Sequence, residues 1–413
     1  MIAFHYPPFQ ESSGVLRTWN FSRHLPENGW SPLVLTASAR AYGPIEARPG
    51  GLEVPRDVRV WRATAFDTAR HLAFRGRYLR TMALPDRWIS WYLPAVLSAL
   101  RIIRRHRPRL IWSTYPIASA HLVARTVQRL TGLPWVADFR DSMTEEAYPA
   151  DETQRRIYLR IERSAMEHAQ AAVFTTEGTR NMYAARYGSG TARRFHIIPN
   201  GFGEESFQRA QQLPGATPAP SGNRRLLVHS GILYPSERDP RPFLQAVGEL
   251  KRCGRIDAAN LRIVLRASGH EVLIQSLIDS SGVADIVTLE RPLGYEAALA
   301  EMLSADGLLL FQAANCNHQI PAKLYEYLRA ARPILALTDA RGDTAKALLA
   351  VGIDTLADLA SSEDIADKLP RFLDALREGT APTAAPGVAV RYSREAQCGV
   401  LAALLRSVAG ASR

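Results

Sequence analysis

The 413 residues of this chain are 46% hydrophobic and 22% charged, a composition that excludes an intrinsically disordered protein and is typical of a folded globular one. The length exceeds one ordinary core, so we expect two domains of about 150–200 residues each. The formal net charge of +11 is uneven, because residues 1–200 contain 28 arginines and 16 acidic residues, whereas residues 201–413 are close to neutral. A positive first half suits an anionic partner: a nucleic acid, an acidic membrane surface or a phosphorylated substrate.

The cysteines and the start of the sequence bear on the cellular compartment. Cys253, Cys316 and Cys398 are far apart, so they indicate neither a disulfide framework nor a zinc site, and a reducing cytoplasm fits. We expect no secretory signal, since apolar residues 2–4 lead directly into a turn at residues 7–8. A buried strand is normally longer, which predicts either a clipped first strand or a true start a few residues upstream.

In the first half, short apolar runs alternate with helix-length segments, the pattern of a parallel sheet covered by helices. Helices are predicted over 15–28, after a turn at Gly14, and over 153–169, where charges alternate. The predicted strands are 33–36, 58–62, 109–113, 134–138, 171–175 and 195–198.

The segment 88–103 has apolar residues at nearly helical spacing and has two interpretations. It is too short to span a bilayer, which takes about 20 residues. It is either an amphipathic helix packed on the sheet or a shallow helix that contacts a membrane. Five arginines within or just after it form a basic patch: Arg101, Arg104, Arg105, Arg107 and Arg109.

The second half begins with a change in composition. Residues 200–224 concentrate Gly, Pro, Ser and Asn, as linkers do, and a second break follows at 380–388. Between and after these breaks, helices are predicted over 240–252, 321–331 and 392–408, and strands over 226–230, 261–265, 286–289, 307–311 and 333–337. The fold class is therefore α/β, with two doubly wound domains of parallel sheet.

Two motifs of the first half point to chemistry. In HYPPFQESSG (5–14), a strand end and a turn place Gly14 at the start of a helix, whose free amides suit a phosphate. In ADFRDSM (137–143), Asp138, Arg140 and Asp141 follow a strand end, where functional groups of open α/β sheets gather. The alternative for this second motif is an ordinary surface loop with a local ion pair.

Two motifs of the second half indicate a nucleotide. Ser230, Gly231 and Arg238, in a strand, glycine turn and helix, are suited to hold a diphosphate. In the segment 317–337, a helix started by proline carries Lys323 in its first turn and Glu326 one turn later. A lysine offers a point charge to phosphate, and a carboxylate accepts hydrogen bonds from ribose hydroxyls.

Taken in order, these motifs resemble the retaining GT-B glycosyltransferases (glycosyltransferase family 4-like), in the branch that builds bacterial capsule, exopolysaccharide and lipopolysaccharide. The resemblance covers nearly the whole chain, through HYPPFQESSG, ADFRD, IIPNGF (197–202), HSGILYPSERDP (229–240), IPAKLYEYLRAARPILAL (320–337) and YSREAQ (392–397). It implies two Rossmann-like domains that face a cleft: 1–203 for the acceptor, a linker over 204–224, 225–380 for the nucleotide-sugar, and a helix over 389–413 that crosses back to the first domain.

The resemblance also implies roles. Donor binding falls to Gly14, Ser230, Gly231, Arg238, His318, Lys323 and Glu326, and the catalytic residues at the sugar or acceptor are Arg140 and Asp141. Glu326 matches the ribose-binding glutamate, and Arg238 lies where the family has a phosphate-binding lysine. His318 replaces a further glutamate of many relatives, and the arginine that follows the family's glycine turn is absent, so Lys323 supplies that charge.

The implied activity is sugar transfer from a nucleotide-diphosphate donor to a lipid-linked glycan acceptor in cell-surface polysaccharide biosynthesis. No cofactor and no metal are expected, and the departing phosphate helps to deprotonate the acceptor. The expected location is the cytoplasm, peripherally on the anionic inner membrane face. The alternatives are a nucleotide-sugar epimerase of the same fold and a non-catalytic GT-B binding protein; nucleic-acid binding is disfavoured, because no known recognition module is present.

Overall fold

A computed structural model of the chain describes residues 1–9, 13–43, 52–146, 148–216, 222, 224–385 and 387–411. The chain divides into two compact units. The first unit consists of Met1–Asn200 and Arg394–Arg413, and the second of Gly201–Ser393.

The first unit is built on parallel strands whose side chains are largely buried, as expected where helices cover both faces of a sheet. Each strand lies within two residues of its predicted position, which confirms the alternation seen in the sequence. The strands are β1 (Leu33–Ala37), β2 (Arg59–Ala63), β3 (Ile111–Thr114), β4 (Trp135–Phe139), β5 (Ala171–Phe174) and β6 (Phe195–Ile197).

The residues that open the sequence take a central place in this sheet. β1 pairs with β2, and β3 to β6 pair in sequence order, all in parallel. Ile2 bridges both Leu35 of β1 and Ser113 of β3, and its amide donates to the carbonyl of Trp112 at 2.7 Å. The segment 1–4 therefore joins the two groups of strands and corresponds to the short first strand expected from the sequence.

Seven α-helices of the described residues precede the second unit, in addition to short 3-10 turns at Pro26–Asn28, Ala39–Ala41, Arg80–Ala83 and Ile89–Trp91. The predicted helix over 15–28 ends earlier, because Pro26 removes a backbone donor and starts a 3-10 turn. The helices are α1 (Ser13–His24), α2 (Thr68–His71), α3 (Tyr92–His106), α4 (Ala118–Thr131), α5 (Glu152–His168), α6 (Glu177–Tyr187) and α7 (Ser189–Ala192).

Helix α3 is the amphipathic segment noted in the sequence. Ala95, Val96, Ala99 and Ile102 are buried on one side of it, so that face packs in the core of the first unit. Pro94 lies in the first turn, where its missing N–H costs no helix hydrogen bond. Within the described ranges, no helix is long and apolar enough to cross a membrane.

The second unit contains a six-stranded sheet in the order β12-β11-β10-β7-β8-β9, with every pair parallel. The edge strand β12 was not predicted, because two residues leave no periodic signal in the sequence. The strands are β7 (Arg225–Ser230), β8 (Leu261–Arg266), β9 (Val287–Glu290), β10 (Gly307–Gln312), β11 (Ile334–Thr338) and β12 (Leu356–Ala357).

The helices of the second unit begin inside the predicted linker. α8 occupies part of 204–224, and its Phe207 is fully buried, so the linker interpretation is wrong there; residues 217–221 and 223 lie outside the described residues. A 3-10 turn covers Ala314–Cys316. The helices are α8 (Glu204–Gln211), α9 (Arg241–Arg252), α10 (Glu271–Ser280), α11 (Tyr295–Ser304), α12 (Ala322–Ala330), α13 (Asp343–Leu349) and α14 (Ser362–Glu378).

The end of the chain belongs to the first unit. After a 3-10 turn at Ala389–Tyr392, helix α15 (Arg394–Gly410) packs on α1. Its Cys398, Leu401 and Leu405 are buried in a cluster with Phe21 of α1 and Trp112 of β3. The hydrophobic effect of this burial therefore holds α15 against the sheet of the first unit.

Candidate functional site

A glycine turn at the carboxyl end of β7 forms the centre of the candidate site in the second unit. β7 is a central strand, between β10 and β8, and its last residue is the buried Ser230. The Ser230 amide donates to the Tyr327 hydroxyl at 3.2 Å, and the Gly231 amide donates to the Arg266 carbonyl at 2.8 Å. Bonds from α12 and β8 therefore fix the turn on two sides.

Lys323 lies directly over this turn. A Cβ atom added at Gly231 would overlap the Lys323 side chain and would stand 2.5 Å from its Nζ atom. Lys323 is the second residue of α12, whose N-cap is Pro321. Burial lowers the pKa of Lys323 and the nearby Arg238 lowers it further, whereas Glu326 raises it. The absent side chain at residue 231 thus lets the ammonium group of Lys323, from the first turn of α12, approach the backbone of this turn.

Arg238 adds a second positive charge beside the turn. Its Nη1 atom donates to the Ile232 carbonyl at 3.0 Å, and its guanidinium lies 5.6 Å from the ring centroid of Tyr234. Burial is the main cause of the lowered pKa of Lys323, and the like charge of Arg238 lowers this pKa further. An anion bound between Arg238 and Lys323 would relieve that repulsion.

The sequence did not single out His229, which is buried beside these charges. Its Nδ1 atom lies 2.9 Å from the Leu309 carbonyl of β10. Burial, with smaller contributions from Lys323 and Arg238, lowers the pKa of His229 to about 3. The imidazole is therefore neutral near pH 7 and adds no charge to the site.

Glu326 lies one turn after Lys323 on α12 and is 9% exposed. Its Oε1 atom accepts a hydrogen bond of 2.7 Å from the hydroxyl of Tyr295, the first residue of α11. Tyr295 thus orients the carboxylate that the resemblance assigns to the ribose. This partner was missed, because nothing in the sequence links positions 31 residues apart.

Gly231, Arg238, Lys323 and Glu326 are linked by contact or by electrostatic interaction. His318 is an exposed residue of the loop before α12. The described residues contain no cluster of His, Cys, Asp or Glu side chains arranged to hold a metal ion.

In the first unit, Asp138 has a structural place. It is fully buried at the end of β4, and its Oδ1 atom accepts a hydrogen bond of 2.8 Å from Nη2 of the buried Arg17. The Thr114 hydroxyl donates to its Oδ2 atom at 2.8 Å, and Arg17 also donates to the carbonyls of Ile198 and Pro199. The Asp138 carboxylate therefore has its hydrogen-bond partners within the core of the first unit. Its ion pair with Arg17 connects α1, β4 and the end of β6.

Arg140 and Asp141 follow Asp138 and bind each other. The Arg140 Nε and Nη2 atoms donate to the Asp141 carboxylate at 3.0 and 2.8 Å, which is the local ion pair considered as an alternative from the sequence. Asp141 is 45% exposed on its side chain, and Arg140 only 11%. The pair therefore presents its carboxylate to solvent at the carboxyl edge of the sheet.

His5 and Gly14 complete that edge. Burial lowers the pKa of His5 to about 3, with contributions from the positive charges of Arg140 and Arg87. The His5 ring stacks on Phe9, with ring centroids 4.5 Å apart. Gly14, the second residue of α1, lines a narrow cavity together with His5. Residues 10–12 of the first motif lie outside the described residues, and His5 within that motif was not singled out from the sequence.

A buried network holds the loop that carries Arg140 and Asp141. The Glu162 carboxylate of α5 accepts hydrogen bonds from the Thr144 hydroxyl at 2.9 Å and the Tyr183 hydroxyl at 2.8 Å, and pairs with Arg186 at 2.5 Å. The Tyr183 hydroxyl also accepts from the Met143 amide at 3.0 Å. Residues of α5 and α6 therefore hold the loop after β4 in place.

This chain is similar to known proteins in part of its sequence and in its fold. Residues 14–201 match the family model described as Glycosyl transferase 4-like domain. No curated protein matches the sequence. Among solved structures, sucrose-phosphate synthase from Thermosynechococcus elongatus is similar with a TM-score of 0.67 and 15% identity, over 97% of this chain and 94% of that chain.

Two further solved structures are similar over nearly their whole length. HepE from Anabaena, in complex with UDP and glucose, has a TM-score of 0.64 and 14% identity, over 98% of this chain and 99% of that chain. WaaG, a glycosyltransferase involved in lipopolysaccharide biosynthesis, has a TM-score of 0.60 and 15% identity, over 100% of this chain and 99% of that chain.

These likenesses agree with the two α/β units described above, so the chain has the GT-B fold of glycosyltransferases, with two Rossmann-like domains. Within that fold, residues 14–201 are the part that matches the model described as Glycosyl transferase 4-like domain.

Proposed function

We propose that the protein transfers a sugar from a nucleoside diphosphate sugar to an acceptor. The observation that carries this proposal is the arrangement at Gly231, where Lys323 lies on the turn and Arg238 stands nearby. Two positive charges and a helix N-terminus stabilise a leaving diphosphate. Glu326, held by Tyr295, accepts hydrogen bonds from the ribose hydroxyls. The similar HepE structure, solved with UDP and glucose, supports UDP as the first nucleotide to test.

The reaction that we propose is retaining and independent of metal. Negative charge grows on the departing diphosphate while the sugar ring becomes cationic, so fixed charges near Gly231 lower the barrier. The departing phosphate takes the proton of the acceptor hydroxyl. In the first unit, Arg140 and Asp141 contact the acceptor or the sugar, and the neutral His5 beside Arg140 offers a further polar contact.

The acceptor that we propose is a lipid-linked glycan of cell-surface polysaccharide biosynthesis, used at the cytoplasmic face of the inner membrane. The positive charge of residues 1–200 supports this, because a lipid diphosphate and its anionic surroundings attract arginine. The likeness to WaaG, a glycosyltransferase involved in lipopolysaccharide biosynthesis, points to the same class of product.

A thermal-shift screen with nucleoside diphosphates and the matching nucleosides tests the donor site. A ligand that binds only the folded state stabilises it by RT ln(1 + [L]/Kd). We expect UDP to raise the unfolding midpoint and uridine to raise it less, since the charges at Gly231 act on phosphate. If no nucleoside diphosphate changes the midpoint, the proposed donor site is wrong.

Product analysis separates transfer from the other activities of the fold. Incubation with UDP-glucose and a lipid-linked glycan should release UDP only when the acceptor is present, and should lengthen the glycan. An epimerase would change the sugar nucleotide without an acceptor, and a binding protein would leave both compounds unchanged.

A further inference from the structure

Large apolar side chains are exposed along one stretch of the first unit, between β2 and α3. Phe74 is 78% exposed and Leu79 is 72% exposed. Residues 66–82, here called the apolar segment, also expose Phe66, Leu72, Tyr78 and Met82. Single exposed apolar residues are ordinary, but a concentration of them is typical of a surface that binds a partner or a membrane.

The apolar segment is held in an ordered conformation. The fully buried Thr68 donates through its hydroxyl to the Met82 carbonyl at 2.8 Å, which closes the base of the segment. Phe74 and Arg77 exchange two backbone hydrogen bonds, of 2.8 and 3.0 Å, around residues 75–76, both of which have positive φ. This is the backbone pattern of a tight hairpin turn, and it holds the Phe74 side chain out at the surface.

The charges of the apolar segment have one sign at the surface. Arg70, Arg75, Arg77 and Arg80 lie within it, and of these Arg80 is paired with the partly exposed Asp151. The acidic residue of the segment, Asp67, is buried and paired with Arg87 at 3.2 Å. Exposed arginines among exposed apolar side chains match the interface of a bilayer with anionic headgroups, where apolar burial and charge attraction act together.

The position of the apolar segment in the fold also matters. It follows β2, and residues that follow parallel strands share the carboxyl edge of a sheet, where His5 and Arg140 lie. Arg87, just after the segment, is close enough to lower the pKa of His5. The crossover helix α3 then returns to the amino edge, so Arg104 and Arg105, near its end, lie at the opposite edge of the sheet.

We propose that the apolar segment docks the first unit on an anionic membrane surface, with Phe74 and Leu79 inserted among the lipid headgroups. This inference rests on the proposed function, because a lipid-linked acceptor must reach the edge that carries His5 and Arg140. Docking through the apolar segment brings that edge to the membrane, whereas docking through the arginines at the end of α3 does not.

Vesicle co-sedimentation with the full chain tests the inference. The probes are vesicles of phosphatidylethanolamine with phosphatidylglycerol, and neutral vesicles of phosphatidylcholine. The test variant is Phe74→Ser/Leu79→Ser, and the matched control is Val272→Ser/Leu273→Ser in the second unit, where the two side chains are 89% and 46% exposed. A third variant, Arg104→Gln/Arg105→Gln, examines the amino edge.

We expect the wild type to bind the anionic vesicles and to bind less as salt rises, because salt screens exposed charges. Phe74→Ser/Leu79→Ser should lower the partition coefficient by about tenfold or more, since insertion strength scales with buried apolar area. The other two double variants should bind nearly as the wild type does. All four proteins should share one unfolding midpoint, because the changed side chains are exposed.

Two results would overturn the inference: wild-type binding by Phe74→Ser/Leu79→Ser, or no binding of the wild type to anionic vesicles at low salt. Calorimetry with UDP on the same preparations keeps the two proposals apart. If UDP binds while vesicles do not, the docking surface is wrong and the donor site stands. If vesicles bind and UDP does not, the proposed function fails while the docking surface stands.

Discussion

The Lys323 side chain lies against the backbone of Gly231, so closely that no Cβ atom fits between them. Gly231 has a φ of 132°, a backbone conformation that residues with a side chain rarely adopt. Two separate constraints, the backbone conformation and the contact with Lys323, therefore require glycine at this position. They place the ammonium group of Lys323 directly at the turn that follows β7.

Replacement of Gly231 should weaken nucleotide binding by more than the strain of its backbone conformation alone would. Gly231→Ala forces Lys323 away from the turn, and a hydrogen bond to a charged group contributes about 1.5–3 kcal/mol. We expect calorimetry to show UDP affinity reduced by about tenfold or more. The matched control is Gly282→Ala, where φ is 69° and a Cβ meets nothing within 4 Å. Equal UDP affinity in the two variants would show that the contact with Lys323 has no role in binding.

The charge of Lys323 should make UDP binding depend on pH. Burial and Arg238 lower the pKa of Lys323, so its ammonium loses the proton below the ordinary lysine range. We expect UDP affinity to fall as pH rises towards that range, and Lys323→Gln to bind UDP weakly without this dependence. Lys251→Gln, which changes a half-buried lysine paired with Asp285, should behave as the wild type. A parallel pH profile for Lys323→Gln and wild type would contradict the assignment.

The carboxylate of Glu326 should contribute to binding through the ribose, and so to uridine as well as UDP. Glu326→Gln removes a charged acceptor worth about 1.5–3 kcal/mol, which predicts about tenfold weaker binding or more. Tyr295→Phe removes the neutral donor that orients Glu326 and should cause a smaller loss. Glu296→Gln, beside Tyr295 and paired with Arg209, is the control that should leave affinity unchanged. Calorimetry with both ligands decides, and unchanged affinity in Glu326→Gln would remove it from the site.

The strands could be predicted closely from the sequence, because buried parallel strands are continuous apolar runs. The predicted strand 307–311 matches β10 within one residue for this reason. The linker over 204–224 was misjudged at α8, since Gly, Pro and Ser are frequent in that stretch while a single buried aromatic, Phe207, anchors the helix. Composition averages over a window and cannot register one such contact.

The candidate site was predicted where its residues lie near one another in sequence. Lys323 and Glu326 share one helix turn, so their spacing in the sequence was enough to propose them together. Tyr295 and His5 escaped notice, because their partners come from distant parts of the chain. The sequence grouped Asp138 with the charges of Arg140 and Asp141 that follow it. In the structure Asp138 is instead paired in the core with Arg17, which is far from it in sequence. Tertiary pairing of this kind has no periodic signal.

The buried Glu162 should matter both for stability and for the loop that carries Arg140 and Asp141. Its carboxylate has an ion pair with Arg186 and hydrogen bonds from three hydroxyl groups, all without contact with water at the carboxylate. Removal of one partner of a buried ion pair costs about 3–5 kcal/mol, because the other partner is left uncompensated. The loop after β4 loses the same anchor.

We therefore expect Glu162→Gln to lower the midpoint of chemical unfolding clearly, and Glu167→Gln, an exposed residue of the same helix, to leave it unchanged. Under conditions where Glu162→Gln stays folded, transfer to the acceptor should slow, because the neutral amide is a weaker acceptor for the Thr144 hydroxyl that helps to hold the loop of Arg140 and Asp141. UDP affinity should remain that of the wild type, since the residues at Gly231 belong to the other unit. A stability loss with normal transfer would limit Glu162 to the core, and a loss of UDP binding would mean that the variant disturbs both units.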